Sequence, residues 1–385
     1  MTRVEIAEAL PRAAEIVADV RARGDEAVLD WTERLDGSRP SGLRVPAEAI
    51  TAAEADPAFL SAVRGLANAV RAFHEPQRPP DTSASPLPGV RAERRFLPLG
   101  SIGIYVPGGR ATYPSTLVMA AVPARLARVT RIAVASPGAS EPLLATAHEL
   151  GIDEVYAVGG AQAIAALAYG TESVPAVDKI VGPGNRWVTA AKLLVSGRVG
   201  IDLPAGPSEV LVVADDTADA ELCAADLLAQ AEHGPDSECL LVTTSTPLAQ
   251  AVARLTTGWE QVRVEVVESV DEALAVVDDY APEHLELHVA DPEALAARVT
   301  NAGSIFLGGT TPAVVGDYAA GANHVLPTGG LARAAGGLGL EAFLKPVQIV
   351  AATREGLEGM RETVAALAAA EGLPLHAAAV EARFR

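Results

Sequence analysis

Hydrophobic positions along the chain follow two periods, one typical of strands and one typical of helices. From about residue 99, short apolar runs alternate with longer segments of helical spacing. This alternation predicts βαβ units and a mainly parallel sheet. The predicted strands are Ser101–Val106, Arg131–Ala135, Glu154–Val158, Lys179–Val181, Val210–Ala214, Cys239–Thr243, Val262–Val267 and Ser304–Leu307. The helical patterns between them include Pro114–Ala127, Glu141–Leu150, Ala161–Tyr169 and Ala218–Ala231.

The flanking segments have other patterns. Residues 3–75 carry apolar residues at helical spacing, which predicts helices. Residues 76–92 contain five prolines, so we expect an extended link or a surface loop there. Residues 310–340 are rich in Gly and Thr without a clear period, and a helical tail is predicted from about Thr353 to Arg385. The fold class is therefore α/β, with two Rossmann-like domains whose sheets are rich in parallel strands, plus a helical C-terminal tail.

Composition excludes several classes of partner. The net charge of −19 argues against nucleic acid, because binding to a phosphate backbone needs a basic surface. The longest uncharged run, Val155 to Thr171, contains three glycines and predicts no membrane span. The N-terminus lacks the basic start and apolar core of a signal peptide. The cysteines Cys223 and Cys239 form no disulfide framework, so we expect a cytoplasmic protein.

Three glycine-rich turns follow predicted strands. They are Tyr105-Val-Pro-Gly-Gly109, Val158-Gly-Gly-Ala-Gln162 and Val181-Gly-Pro-Gly-Asn185. None is a GxGxxG fingerprint or a Walker A loop, and each alone fits an ordinary βα turn. Together they are compatible with a nucleotide cleft, because glycine lets the backbone approach a ligand closely.

Histidines beside carboxylates or amides occur in four segments that are otherwise poor in charge. Gln230 and His233 lie three apart at the end of a helical pattern and suit either a metal site or a helix-terminal histidine. Glu283 and His284 follow a proline and suit either proton transfer or a surface pair. His288 fits a solvent-facing strand position and is not included in the site.

The other two of these segments lie nearer the C-terminus. Asp317 and His324 occupy a glycine-rich loop, where the carboxylate could contact a metal or a substrate or could cap a helix. Glu371 and His376 lie in the tail and, taken alone, fit a solvated surface. Ser208 follows a rigid proline turn and could be exposed at a cleft, but no GxSxG elbow supports a nucleophilic role.

In this order, the segments resemble histidinol dehydrogenase over nearly the whole chain. The matching blocks are YVPGG from Tyr105, GGAQAIAALAYGT from Gly159, VDKIVGPGN from Val177, IDLPAGPSEVLVVAD from Ile201, QAEHG from Gln230, APEHLEL from Ala281, GDYAAGANHVLPT from Gly316 and EGLPLH from Glu371. Eight blocks in register argue against a chance match.

The resemblance implies an enzyme that oxidises L-histidinol through L-histidinal to L-histidine, the last step of histidine biosynthesis, while two NAD are reduced. It implies that His284 takes the alcohol proton and that Glu283 activates water to hydrate the aldehyde. It also implies one zinc per active site. The implied zinc ligands are Gln230, His233, Asp317 and His376. The implied substrate contacts are these four residues with Ser208, His284, His324 and Glu371, and the implied NAD contacts are Tyr105, Gln162 and Asn185.

The resemblance also implies a homodimer with shared active sites, because the tail histidine comes from the neighbouring subunit in the family. We expect a first α/β domain over 1–104 and 209–338, a second on the NAD side over 105–208, and an exchanged tail over 339–385. Three alternatives lie outside this interpretation. The first is an NAD-dependent oxidation of other small polyols or sulfonated diols, as in relatives of this fold. The second is a non-catalytic scaffold, which would lack the Glu283–His284 pair. The third is a zinc hydrolase, which would need an HExxH-type helix.

Overall fold

The computed structural model describes residues 3–108 and 112–385. Gly109, the last residue of the first glycine-rich turn, lies outside the described residues. The helices are α1 (Arg3–Arg23), α2 (Asp25–Asp36), α3 (Ala47–Thr51), α4 (Pro57–His74), α5 (Pro114–Leu126), α6 (Glu141–Glu149), α7 (Gly160–Tyr169), α8 (Arg186–Val195), α9 (Ala220–Ala231), α10 (Thr246–Leu255), α11 (Val270–Tyr280), α12 (Pro292–Ala296), α13 (Ala313–Tyr318), α14 (Arg354–Ala370) and α15 (Pro374–Glu381). The strands are β1 (Thr82–Leu87), β2 (Val90–Pro98), β3 (Ser101–Tyr105), β4 (Arg131–Ala135), β5 (Val155–Tyr156), β6 (Lys179–Val181), β7 (Gly200–Ile201), β8 (Glu209–Ala214), β9 (Glu238–Thr243), β10 (Val262–Val266), β11 (His284–His288), β12 (Ser304–Leu307) and β13 (Leu344–Ala352).

Two compact units emerge from the contacts within the chain. The first runs to Gln77 and continues over Leu99–Phe343, and the second joins Arg78–Pro98 to Leu344–Arg385. This division differs from the boundaries expected at residues 104, 208 and 338, because both parallel sheets and the N-terminal helices fall in the first unit. The assignments of an NAD side and of an exchanged tail stay predictions.

The first unit contains a parallel sheet formed by residues 101–201. Its strand order is β5-β4-β3-β6-β7, so the chain leaves β3 in one direction and returns on its other side at β6. Such a reversal opens a crevice at the carboxyl ends of the two central strands. Helices α1 and α2 pack against α7 and α8 through a core that includes Ile16, Trp31 and Ile164. Gly24 permits the sharp change between α1 and α2, since its φ is +58°.

A second parallel sheet in the same unit has the order β10-β9-β8-β11-β12. Strand β8 is buried along its whole length, and one face of it packs on α9 while the other packs on α11. Strand β11 was not among the predicted strands, although its sequence His-Leu-Glu-Leu-His alternates polar and apolar residues as a half-buried strand does. These polar residues are nevertheless buried, and the solvent-facing position expected for His288 is wrong.

The second unit is a three-stranded antiparallel sheet followed by α14 and α15. Its order is β1-β2-β13, and Gly89 makes the β1–β2 turn with a φ of +72°. The prediction of a link or surface loop over 76–92 is wrong for most of that segment, since it forms β1 and the start of β2. The prolines are tolerated because β1 and β13 are edge strands, and Pro86 lies where the β1–β2 register shifts.

Most predicted elements are confirmed. All eight predicted strands are present, and the four helices proposed between them occur within two residues of their expected bounds. The N-terminal helices and the helical tail are also present, with Thr353 capping α14. Across the part of the chain that the structure describes, no helix is both long and apolar enough to cross a membrane.

Candidate active site

A cavity of about 480 Å³ lies in the first unit, between its two parallel sheets. Pro107 and Asn185 line it from beyond the carboxyl ends of β3 and β6, as expected for a parallel sheet. On the other side, Ser208 and His284 line it from the amino ends of β8 and β11. The size suits a small polar substrate together with part of a cofactor.

Glu283 and His284 form a buried pair at the wall of this cavity, each about 5% exposed or less. Both are held by the backbone of Glu209, the first residue of β8. The Glu209 amide donates to Glu283 Oε2 at 2.8 Å, and the Glu209 carbonyl lies 3.0 Å from His284 Nδ1. A carbonyl oxygen only accepts, so His284 Nδ1 carries the proton and Nε2 is left as the acceptor. The pair is therefore not a surface pair, and its arrangement at the cavity wall suits proton transfer.

Burial sets the protonation of both side chains. It lowers the pKa of His284 to about 4, so the imidazole is neutral near pH 7. Burial also raises the pKa of Glu283 well above the usual range of a carboxyl group, against hydrogen bonds from Glu209 and Ser208 that lower it. A neutral imidazole and a carboxylate of increased basicity are both suited to taking a proton.

The Glu209 side chain is a feature that the sequence analysis missed. Its Oε1 accepts a hydrogen bond from the Gly329 amide at 2.6 Å, whereas its buried Oε2 has no partner among the described residues. Burial raises the pKa of this carboxyl to about 7. The only sequence signal was a charged residue at the start of an otherwise apolar strand.

Two of the predicted metal ligands border the cavity close to this pair. Asp317 lies near the end of α13, and its Oδ1 is 3.9 Å from His284 Nε2. Burial raises the pKa of Asp317 to about 6. His233 lies in the turn after α9 and also lines the cavity, and partial desolvation there lowers its pKa although the residue is exposed. The structure thus brings together side chains that are 84 residues apart in the sequence.

Gln230, the third predicted ligand, is buried on the last turn of α9. Its Nε2 has no hydrogen-bond partner among the described residues. A buried amide without a partner is a group that a bound ligand can satisfy. Zinc would bind the Oε1 atom of Gln230, since an amide NH2 group only donates hydrogen bonds. With the Asp317 carboxylate and the His233 imidazole, this gives an oxygen and nitrogen donor set, which fits zinc.

Predicted substrate contacts also border the cavity. His324 lies on the wall, and its Nε2 is 3.2 Å from Ser115 Oγ, a partner that the sequence analysis did not single out. Burial lowers the pKa of His324 to about 4. Ser208 lines the same cavity just ahead of β8.

The predicted NAD contacts occupy the carboxyl end of the first sheet. Asn185 lines the cavity and caps α8, because its Oδ1 accepts from the amides of Trp187 and Val188. Its Nδ2 is not used by that cap. Tyr105 is buried behind the turn, and its hydroxyl accepts from the Gly160 amide at 3.1 Å. Gln162 is buried nearby on α7, and its Oε1 has no partner among the described residues.

A buried ion pair fastens two loops of the cavity wall, and the sequence analysis missed it. Lys192 pairs with Asp202 and also donates to the carbonyls of Gly182 and Leu203 at 3.0 and 2.8 Å. The other Asp202 oxygen accepts from the Gly182 amide at 2.6 Å. Gly182 has a φ of +113°, and a Cβ there would collide with the Tyr105 carbonyl.

The last two predicted residues belong to the second unit. Glu371 follows α14 and His376 lies on α15, and both are exposed. Their predicted contacts with substrate and metal stay predictions.

The fold and the site define an α/β protein with a buried carboxyl–imidazole pair at a cleft between two parallel sheets. Succinate-semialdehyde dehydrogenase from Burkholderia pseudomallei shares the general fold at a TM-score of 0.51 and 14% identity, covering 91% of this chain and 89% of that one. The family model for histidinol dehydrogenase matches residues 1–384, and the chain belongs to that family. It is accordingly an NAD-dependent oxidoreductase of histidine biosynthesis.

Individual relatives agree with this assignment. The histidinol dehydrogenase of Thermobifida fusca is 45% identical over 99% of this chain and 93% of its own length. That of Natronomonas pharaonis is 47% identical over 98% of this chain and 94% of its own length. The crystal structure of histidinol dehydrogenase from Elizabethkingia anophelis superposes with a TM-score of 0.89 at 37% identity, covering 97% of this chain and 92% of that one. The expected family is therefore confirmed.

Proposed function

We propose that the cavity around Glu283 and His284 carries out both oxidations of L-histidinol, first to L-histidinal and then to L-histidine, with zinc and NAD. The observation that carries this proposal is the attachment of both side chains to the backbone of one residue, Glu209, at the cavity wall. A single rigid support keeps two proton acceptors in fixed relation to one substrate carbon.

In the first oxidation, His284 acts on the alcohol. NAD, held by the residues proposed below, would supply the hydride acceptor for both oxidations. The alcohol proton passes to His284 Nε2 while Nδ1 keeps its hydrogen bond to the Glu209 carbonyl. The neutral ring is ready for this step because burial lowers the pKa of His284 to about 4. The products are the aldehyde, reduced NAD and an imidazolium that must pass its proton on.

In the second oxidation, Glu283 acts on water. The ionised carboxylate takes a proton from water as the oxygen adds to the aldehyde carbon, which gives the hydrate. Oxidation of the hydrate, with NAD as the hydride acceptor, would also need a base for the hydroxyl proton and would give the carboxylic acid. Burial raises the pKa of Glu283, so its carboxylate is a stronger base than an exposed one.

The proposed zinc ligands are Gln230, His233 and Asp317 from one chain and His376 from a second copy. Zinc would supply a Lewis acid that orients the imidazole and amine of the substrate. The donor set supports this assignment, because His233 and Asp317 both line the cavity and Gln230 is buried one turn before His233. His284 and His324 add nitrogen atoms that can contact the substrate on the same wall.

The proposed NAD contacts are Asn185, Tyr105 and Gln162, at the carboxyl end of the first sheet. Parallel sheets bind nucleotides at this end, and the Asn185 Nδ2 group, which the α8 cap does not use, lies at the cavity where it could donate to a cofactor. Gly108 and Gly159 both pack against Pro137, where an added Cβ would collide with its ring. Because glycine has no side chain, the backbone at this edge of the sheet is accessible, and this supports close approach by a cofactor.

The proposed assembly is a homodimer in which each tail completes the site of the other subunit. Glu371 and His376 support it, because both are exposed and so accessible to a second copy. A shared site makes dimerisation a condition of activity. We also infer a cytoplasmic location, since both cysteines are buried free thiols.

The experiment that tests the proposal is the yield of NADH per L-histidinol, with the purified enzyme, after a chelator, and after zinc is restored. Two NADH per substrate, lost with the chelator and regained with zinc, are expected. A yield of one would contradict the second oxidation at this site. Full activity after complete metal removal would contradict the role of zinc.

A further inference from the structure

A second cluster of polar side chains lies behind the active site, formed by Asp226, Glu286 and His288. His288 Nε2 is 3.3 Å from Asp226 Oδ2 and 3.3 Å from Glu286 Oε2. The side chains of His288 and Glu286 are almost fully buried, and that of Asp226 is 13% exposed. None of the three lines the cavity or takes part in the mechanism above.

The three residues connect the elements that carry the site. Asp226 and Gln230 are one turn apart on α9 and so lie on the same side of that helix. His284, Glu286 and His288 alternate along β11 and therefore share one face of the strand. The ion pair between His288 and Asp226 thus ties the position of α9 to that of β11.

The third connection runs to α13. Glu286 Oε1 accepts a hydrogen bond from the Ala313 amide at 2.6 Å, at the first residue of this short helix. Asp317 lies one turn further along the same helix. A shift of Glu286 would therefore move the start of α13 and, with it, the carboxylate of Asp317.

The packing around α13 reinforces this connection. A Cβ at Gly316 would lie 2.8 Å from the Phe306 ring, so the helix lies directly against β12. The Phe306 ring is in turn 5.9 Å from that of His284, measured between ring centroids. With so little free space, α13 has no easy alternative position.

The cluster is already satisfied by its own hydrogen bonds. Its ligand atoms are close enough together to hold a metal ion. However, His288 Nε2 is directed at two carboxylates, and the other Glu286 oxygen is used by Ala313. Although burial lowers the pKa of His288, its hydrogen bonds, that to Asp226 foremost, raise it to about 11, so the ring carries both protons. A doubly protonated imidazole has no lone pair for a metal.

We infer that Asp226, Glu286 and His288 are positioning residues that hold Gln230 and Asp317 at the spacing needed for zinc. This inference rests on the proposed function, since it takes Gln230 and Asp317 as zinc ligands. Groups that orient metal ligands in this way typically change metal affinity by about 10- to 100-fold when removed.

The test is the zinc dissociation constant of the full-length protein, measured by competition with a chromophoric chelator. Asp226→Asn and His288→Gln are compared with Asp279→Asn, a control whose side chain is 97% exposed. We expect both cluster variants to bind zinc about 10- to 100-fold more weakly than wild type and the control to match wild type. The absorption spectrum of the Co²⁺-substituted protein is expected to change in the cluster variants, which reports altered ligand geometry without using activity.

Asp317→Ala separates this inference from the proposed function. If Asp317→Ala loses zinc while Asp226→Asn and His288→Gln keep wild-type affinity and the wild-type Co²⁺ spectrum, the positioning role is wrong and the proposed function stands. If Asp317→Ala keeps wild-type affinity while Asp226→Asn loses the ion, the metal lies in the cluster and both proposals are wrong. Glu286→Gln is the variant to use if the others unfold, because its amide oxygen can still accept from Ala313. Its NH2 group cannot accept from His288, so the link between β11 and α9 is weakened and weaker zinc binding is expected.

Discussion

The main-chain carbonyl of Glu209 accepts a hydrogen bond from Nδ1 of His284 at 3.0 Å. This contact fixes the tautomer of the imidazole and leaves Nε2 available as a base. The same residue donates its amide to Glu283, so one peptide unit on each side of Glu209 orients the two groups. The amino end of β8 is consequently the support on which the proposed chemistry depends.

His284→Asn tests the base of the first oxidation. The shorter amide can replace the donor at Nδ1 but cannot take a proton, so turnover of L-histidinol should fall by about 10²- to 10⁴-fold. Zinc content should stay at the wild-type level, as measured by elemental analysis. His148→Gln, an exposed histidine on α6, serves as the control. Wild-type turnover in His284→Asn would remove this residue from the mechanism.

Glu283→Gln tests the hydration step. The amide oxygen still accepts from the Glu209 amide, but the base is lost, so L-histidinal oxidation should fall more than L-histidinol oxidation to the aldehyde. Single-turnover rates on the two substrates measure this difference. Glu265→Gln, on the exposed edge strand β10, is the matched control. An equal loss on both substrates would argue that Glu283 acts in the first oxidation as well.

Glu209 should make the protein less stable as the pH rises. Its folded pKa of about 7 lies above the unfolded value of 4.5, so between these values the folded state holds a proton that the unfolded state has lost. The free energy of unfolding should therefore fall by about 3 kcal/mol from below pH 4.5 to above pH 7 through this group.

Glu209→Gln removes this titration and should flatten the pH dependence between pH 5 and about 8. Urea unfolding of wild type, Glu209→Gln and the exposed Glu265→Gln measures the slope. Glu283 contributes in the same direction, because its pKa is also raised by burial, so a weaker slope remains. A slope identical to wild type in Glu209→Gln would mean that this carboxyl is already ionised at low pH in the folded protein.

Lys192→Met tests the ion pair behind the cavity wall. Removing the ammonium leaves Asp202 buried without its partner, which should lower the free energy of unfolding by about 3–5 kcal/mol. The loops that carry Asn185 and Ser208 should also loosen, so KM for NAD or histidinol should rise. Lys345→Met, exposed on β13, is the control. An unchanged KM in a destabilised Lys192→Met enzyme would limit the ion pair to a role in stability.

Subunit complementation tests the shared site. His376→Ala and His284→Asn chains are each expected to be inactive alone. After random reassociation, half of the dimers are mixed and each has one intact site, so about one quarter of wild-type turnover should return. Co-purification with two different tags measures the mixed dimers directly. Mixed dimers without activity would mean that His284 and His376 act from the same chain.

The sequence by itself determined the alternation of strands and helices, because apolar periodicity directly reflects which faces are buried. It also determined the family, through eight blocks of residues in register. Chemistry-bearing residues such as Asp317 and His284 could be proposed from their unusual setting in charge-poor segments. Their proximity could not be derived from spacing along the chain.

The tertiary structure decided what depends on contacts between distant segments. Strand β11 was not predicted as a buried strand, because alternating polar and apolar residues are typical of a strand with one solvated face. Its polar residues are instead buried and paired with groups on α9 and α13. Much of the segment 76–92 belongs to a sheet, because it forms β1 and the start of β2. Strand β2 in turn pairs with β13, more than 240 residues further along the chain. The burial of Lys192 beside Asp202 is visible only in the folded chain. The same is true of His288, which lies at the centre of a buried cluster. The sequence does not show whether a charged residue is solvated or buried. The desolvation free energy of a buried charge is offset by partners that only the tertiary structure brings into contact.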